Sequence, residues 1–486
     1  MTTRIEKILQ DDGPMVSGVL AKKLEEKHEI TNDAARKAIS RANSPVKKMK
    51  TISFNNNQQF IYLSDHFKTQ LFYQNLVNSF ETHAKAYHFF IQAVLFHDGF
   101  IDMNQLPSYT CSPIKKLKGH KPASSIIDDL LQLDVLVEYT DDIYQLNSLI
   151  EVSSTHTRFK AIELAKELTI SNFEDWAKKI NFTSYNDAEK LSNNAEFYKF
   201  QWGFTAPSYI LNLRNEDSPG FIVADILLGK EVLEEHVEYF LNKIDIIKQN
   251  HNVSSFIPII IVEDLEKEAF QLLKSRGIFI GFVNELFDNQ YTEVLKSLVN
   301  VIENASAVIS KNPDKYFDLF DKLSDLRGAS INLRGALFEL AVGYYYSQSS
   351  IYIKINEVVL DKDSGERREI DVLAYDNPDR LRIVECKGKK APIGKGFAKK
   401  WVTDNIPKIR SWTFQEDEHR NKELIFELWS TGGFEKEAED YLKERAQSTN
   451  KYQINYFSKE EIRNKAKEKG VKKLRKIIDN YFSSDI

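Results

Sequence analysis

Residues 369 to 390 read EIDVLAYDNPDRLRIVECKGKK. Two short apolar runs, 370–375 and 381–386, flank Asp376-Asn377-Pro378-Asp379. Asn and Asp ahead of a proline are turn formers, so the stretch predicts a β-hairpin. Charged residues interrupt both strands. Asp is depleted from strands and Glu and Lys are seldom buried, yet Asp371, Glu385 and Lys387 stand in hydrophobic runs. Side chains alternate, so Glu385 and Lys387 share one face and Val384 and Cys386 the other. Two carboxylates and an ammonium on adjacent strands predict a metal site with a cation beside it. The bland counterpart is a structural ion-pair cluster, with Lys387 bridging Asp371 and Glu385.

Glu-x-Lys alone says little in a chain with 28% charged residues, where many such tripeptides occur by chance. An Asp strand, a hairpin and Glu-x-Lys closing the next strand are more specific together. From about 332 to 456 the pattern resembles the PD-(D/E)XK nuclease superfamily, the restriction-endonuclease-like fold. Its core usually opens with a helix carrying an acidic residue, and LRGALFELAVG at 333–343 supplies Glu339. The likeness is nearest to the Holliday-junction-resolvase and Mrr-like branches, which share a Gly-x-x-x-Glu helix, an Ile-Asp strand and Glu-Cys-Lys. One departure is Ile370, which stands where the family carries proline.

The resemblance implies an αβββαβ core and a catalytic set of Glu339, Asp371, Glu385 and Lys387. It implies Mg2+, with Mn2+ able to substitute, held by Asp371, Glu385 and the Cys386 carbonyl. Glu339 would hold the ion through water or take a second one. Lys387 would orient or deprotonate the attacking water and stabilise charge on the phosphate. The products would carry 5′-phosphate and 3′-hydroxyl ends. The residue types suit the chemistry: phosphodiester hydrolysis needs a hard cation that polarises the phosphate and acidifies a water, and magnesium prefers oxygen ligands.

A chain of 486 residues predicts three or four domains. No apolar run is long enough to span a membrane, and no charged-then-apolar leader opens the chain, so a cytoplasmic location without membrane partners is expected. Cys111 and Cys386 lie in unrelated contexts, which fits a reducing compartment. The net charge of −5 requires any nucleic-acid contact to use local basic patches. There is no Walker-type loop, no paired Cys or His spacing for zinc and no nucleophile elbow.

The reading is of a multidomain α/β protein. Residues 1–66 predict a winged helix-turn-helix: helices at 4–10, 16–27 and 33–42, the last capped by Thr31 or Asn32, then a wing of 51–54 and 59–63 around Asn55-Asn56-Asn57. Arg36, Lys37, Arg41, Lys47, Lys48 and Lys50 lie on the third helix and its exit, where a recognition helix needs cations for phosphates and base edges. Residues 67–150 predict a second winged-helix-like module, with helices at 85–97 and 123–133, another starting at 102–106, and a hairpin over 135–146. Its last helix is acidic, which suits a spacer or dimerisation element, although the connection before it carries Lys115, Lys116, Lys118, His120 and Lys121.

Residues 155–307 predict a central α/β domain: helix 158–168, strands 209–213 and 221–228, helix 234–249, strand 257–262, helix 266–275, strand 278–283 and helix 291–303. Ile-Glu-Leu-Ala at 162–165 echoes Phe-Glu-Leu-Ala at 338–341, so this region reads as an inactive nuclease-like copy. Asp225 would match the acidic position, with Leu227 in the lysine's place. A Rossmann-like ligand-sensing domain is the alternative. Residues 314–486 form the nuclease-like domain. Lys389, Lys390, Lys395, Lys399 and Lys400 lead into a helix through Trp412, placed to meet a phosphate backbone. Strand 424–429, helix 436–445, strand 453–457 and a lysine-rich helix over 459–481 complete it, with Trp401 and Trp412 in its core.

The expected function is a metal-dependent endonuclease brought to double-stranded DNA by N-terminal winged helices, used in restriction or anti-phage defence by analogy with modular restriction enzymes. One site cuts one strand, so duplex cleavage implies a homodimer or two sequential events. The alternatives are a nucleic-acid-binding regulator whose nuclease fold is silent, and a nuclease gated by an effector of the central domain.

Overall fold

The computed structural model describes residues 2–151, 154–184, 186–214, 219–250, 253–324 and 331–482. The chain divides into two compact units of helices and sheets, Met1–Ser154 with Trp176–Phe282, and Thr155–Asp175 with Val283–Ile486. The second takes in residues 155–175 and 283–307, which the sequence assigns to a central domain. No helix among the described residues is long and apolar enough to cross a membrane.

The first unit opens with α1 (Thr2–Asp12), β1 (Met15–Val16), α2 (Ser17–His28) and α3 (Asn32–Arg41). The Thr31 hydroxyl accepts the Ala34 amide at 3.3 Å, the expected cap. Leu20, Leu24, Ala35 and Ile39 project from α2 and α3 into one core with Ile61 and Leu63. The expected strand at 51–54 is corrected: β2 (Val46–Lys48) pairs with β3 (Phe60–Leu63), and β1 flanks β3 on its other side. Asn56 and Asn57 both take left-handed φ in a tight turn, and Phe54 folds back to stack on Phe60 at 6.2 Å.

Helices α4 (Gln70–His83) and α5 (Lys85–Phe96) follow. The helix expected to start at 102–106 is instead strand β4 (Phe100–Asp102), after which the Asp102 carboxylate accepts the Asn104 amide at 2.8 Å and turns the chain. α6 (Ala123–Gln132) and the hairpin of β5 (Leu136–Thr140) and β6 (Ile143–Leu146) complete a sheet of order β4-β6-β5. α7 (His156–Lys179) is twice the expected length, and its residues through Asp175 belong to the second unit.

The rest of the first unit is a five-stranded sheet. Its elements are β7 (Glu189–Lys190), the small hairpin β8 (Glu196–Phe197) and β9 (Phe200–Gln201), β10 (Phe204–Ser208), β11 (Gly220–Leu227), α8 (Glu234–Lys248), β12 (Phe256–Val262), α9 (Lys267–Ser275) and β13 (Phe279–Phe282). The sheet order is β13-β12-β11-β10-β7, parallel from β11 to β13. The strand expected at 209–213 is corrected to β10, while 211–213 form one tight turn with Leu211 78% exposed. Pro207 is tolerated because β7 pairs only with Phe204 and Thr205, so no ladder bond needs its missing amide.

In the second unit α10 (Val283–Leu286), α11 (Asn289–Glu303), α12 (Ala305–Lys311) and α13 (Asp314–Ser324) lead to α14 (Ile331–Ser347). Then come β14 (Tyr352–Leu360), β15 (Arg367–Asn377) and β16 (Arg380–Lys387), which make an antiparallel meander. α15 (Lys395–Lys400) and α16 (Ile406–Gln415), joined by a widened turn at Trp401–Asn405, cross to β17 (Glu423–Ser430), and α17 (Lys436–Ser448) crosses to β18 (Gln453–Phe457). β16, β17 and β18 are parallel in the order β14-β15-β16-β17-β18. The single lysine-rich helix expected at 459–481 is corrected to α18 (Lys459–Glu468) and α19 (Lys472–Tyr481), because Gly470 at φ +71° ends the first. Trp401 and Trp412 are buried with Leu373, Ile383 and Phe426, as expected.

Candidate active site

From Ala336 to Gly343 every residue of α14 is buried, and Glu339 is the one polar side chain among them. Leu333, Leu337, Phe338, Leu340 and Val342 are buried, and Glu339 goes in with them at 8% exposure. One point fixes how closely β16 meets this helix. A Cβ on Gly388 would lie 2.8 Å from the Arg334 carbonyl oxygen and 2.8 Å from Phe338 Cβ, so only glycine lets the strand end touch α14 one turn before Glu339.

The hairpin forms as the turn chemistry predicts, with Asn377 paired to Arg380 and Val372 paired to Val384. That register sets Asp371 beside Glu385. Asp371 Oδ2 accepts the Cys386 amide at 2.6 Å, and Lys387 Nζ pairs with Glu385 Oε1 at 2.6 Å. Burial, then the nearby charges of Glu385 and Glu339, push the Asp371 carboxyl well above its usual pKa, against the pull of Lys387 and Lys160. Burial works against the charge on Lys387, but Glu385 and Asp371 reverse this and raise its pKa. Glu339, Asp371, Glu385 and Lys387 are thus brought together from one helix and two strands.

Three further groups belong to this cluster. Lys160, on α7, places Nζ 3.0 Å from Glu339 Oε2, 3.0 Å from Glu369 Oε1 and 3.1 Å from Asn356 Oδ1. Asn356 takes φ +57° in the middle of β14, a conformation Asn tolerates better than most residues. Glu369 alternates with Ile370 on β15 and so shares the side of Asp371. Burial opposes its charge, yet Lys160 and His156 hold its pKa below the usual carboxylate value. For Lys160 burial again works against the charge, and Glu339, Glu369 and Asp371 overcome it and raise the pKa.

The donor set is all oxygen, which suits a hard cation such as magnesium. Among the described residues no three Asp, Glu, His or Cys side chains form a ready ligand group. Magnesium needs fewer, since one or two carboxylates plus water commonly hold it. Asp371 and Glu385, adjacent across the hairpin, meet that requirement, so the residues fit the ion.

The expected nucleic-acid contacts fall in two places. In the first unit Arg36, Lys37, Arg41 and Lys47 are exposed on α3 and β2, while Lys48 is half-buried and donates to the Ser40 carbonyl. In the second, Lys389 is half-buried near Phe397, Lys390 is exposed, and Lys395 is exposed 3.9 Å from Glu437. The lysines of α18 and α19 are partly engaged elsewhere: Lys465 lies over Phe457 at 4.1 Å and Lys473 over Phe317 at 4.0 Å.

Asp225, the acidic residue of the expected second copy, is buried in the first unit. It accepts the Gly203 amide at 2.8 Å and the Lys243 ammonium at 2.8 Å, the lysine coming from α8 and not from the strand. Comparison with protein-family models, curated proteins and solved structures finds no match to this chain.

Proposed function

We propose that the chain is a metal-dependent endonuclease that hydrolyses DNA phosphodiester bonds, with the nuclease-like core in the second unit and winged-helix modules for DNA targeting in the first. The convergence of Asp371, Glu385 and Lys387 at the end of one hairpin, beside Glu339, carries the reading. A divalent cation, when bound, would polarise the phosphate and acidify a water. Asp371 and Glu385 are the residues that would hold it. Lys387, paired with Glu385 and kept charged by two carboxylates, orients the attacking water and stabilises the charge developing on the phosphate. Exposed Lys390 and Lys395 follow Lys387 along the chain, where a phosphate backbone would run. Use in restriction or anti-phage defence, and a homodimer for double-strand cuts, remain parts of this proposal.

A second reading draws on the same contacts. Every carboxylate here has a partner within the chain, as a nucleic-acid-binding protein with a silent nuclease fold would require. Supercoiled plasmid separates the two. Nicking in Mg2+ or Mn2+, abolished by EDTA and cut about a hundredfold or more in Asp371→Asn and Lys387→Ala, is the expected result. DNA binding without cleavage by any form would leave the silent fold as the better account.

A further inference from the structure

Lys160 is the least expected member of the cluster. Its ammonium is caged by three oxygens at 3.0–3.1 Å from α14, β14 and β15, acceptors 179, 196 and 209 residues distant in sequence. A surface lysine pays conformational entropy to hold one geometry and gains little. This one is 22% exposed and spans two carboxylates that would otherwise repel each other. The charge balance points the same way. With all four carboxylates ionised, as an ion bound at Asp371 and Glu385 would make them, Glu339, Glu369, Asp371 and Glu385 set against Lys160 and Lys387 leave two negative charges, the amount a single divalent ion neutralises.

We propose that Lys160 is a resident cation: it takes the place of a second metal ion between Glu339 and Glu369, so the centre binds one divalent ion, at Asp371 and Glu385. This rests on the metal-dependent reading above. Unlike a metal, an ammonium offers no open coordination position and cannot acidify a bound water. Its contribution is charge and position, holding Glu339 Oε2 and Glu369 Oε1 on one ammonium. Lys160 is therefore a positioning residue and not a catalytic one.

Titration calorimetry of the full chain with Mn2+ tests this, with thermal melts confirming that each variant folds. The wild type should bind one ion per chain, and Lys160→Met should bind two because the vacated oxygens now face each other uncompensated. Lys160→Met combined with Glu369→Gln should return to one. Two ions on the wild type, or one on Lys160→Met, would overturn the inference while leaving the metal-dependent reading intact. No ion on any form would sink both. Should Lys160→Met fail to fold, the Mn2+ resonance spectrum of the wild type decides: an isolated ion is expected, and a spin-coupled pair overturns the proposal.

Discussion

Asp361 opens the loop between β14 and β15, the strand that carries Glu369 and Asp371. Its carboxylate accepts Ser364 at 2.8 Å, Ser411 at 2.9 Å, Gln415 at 2.6 Å and the Asp363 amide at 3.2 Å. Ser411 and Gln415 belong to α16, so one side chain ties the loop to that helix. Burial raises its pKa, but these donors prevail and lower it. A lowered carboxylate pKa means stability that is full above the unfolded value of about 3.9 and is lost as pH falls through the lower folded value. Asp361→Asn should cost about 1–2 kcal/mol near neutral pH. The gap in urea midpoint between wild type and variant should close as pH falls below the unfolded value and through the lowered folded one, and a gap that persists below both would exclude the ionised carboxylate as its source.

α14 and β16 meet through glycine, and two substitutions separate contact from propensity. Gly388→Val has nowhere to go without moving the Arg334 carbonyl or Phe338, and overpacking of this kind costs about 1–3 kcal/mol. It should lower Tm and, by shifting Lys387 against Glu339, reduce plasmid cleavage further than the stability loss explains. Gly335→Ala, four residues before Glu339, adds a Cβ that meets nothing within 4 Å and should stabilise by about 0.5–1 kcal/mol. Equal effects from the two would refute the close-approach argument. Elements of this kind were readable in advance. The hairpin announced itself through Asp376-Asn377-Pro378-Asp379, and β17, α17 and β18 through apolar runs bounded by turn residues. Short polar or proline-bearing strands such as β2 and β10 lack an apolar alternation of their own and are held by pairing with β3 and β11, a dozen or more residues further on. A much longer separation hides half the site. Asp371, Glu385 and Lys387 lie within one hairpin, whereas nothing near Lys160 signals that it meets Glu339; a charged residue beside the buried Phe159 and Ala161 on an amphipathic helix reads as solvated.

At the scale of the molecule, the second unit is discontinuous in sequence, and this decides which fragments can fold. A fragment spanning 314–486 holds the hairpin and every expected catalytic residue, yet lacks α7, α11 and α12. The Ile355 amide of β14 then loses the Ser306 hydroxyl that accepts it at 2.8 Å, and Glu339 and Glu369 lose Lys160. Phe159, Ile162, Leu164 and Leu168 of α7 are buried. At about 1.5–3 kcal/mol each, an upper estimate, these four side chains contribute on the order of the whole stability of a domain. α7 is also pinned to α11, with Tyr291 donating to Thr169 at 3.4 Å and Asn172 donating to Tyr291 at 3.3 Å. The fragment 314–486 should therefore bind a hydrophobic dye and melt without a cooperative transition. Residues 283–486 supplied with 155–179 as a separate chain should regain both cooperativity and dye exclusion. If 314–486 alone melts as sharply as that reconstituted pair, α7 is an attachment to the unit and not part of its core, and its lysine cannot be a fixed component of the site.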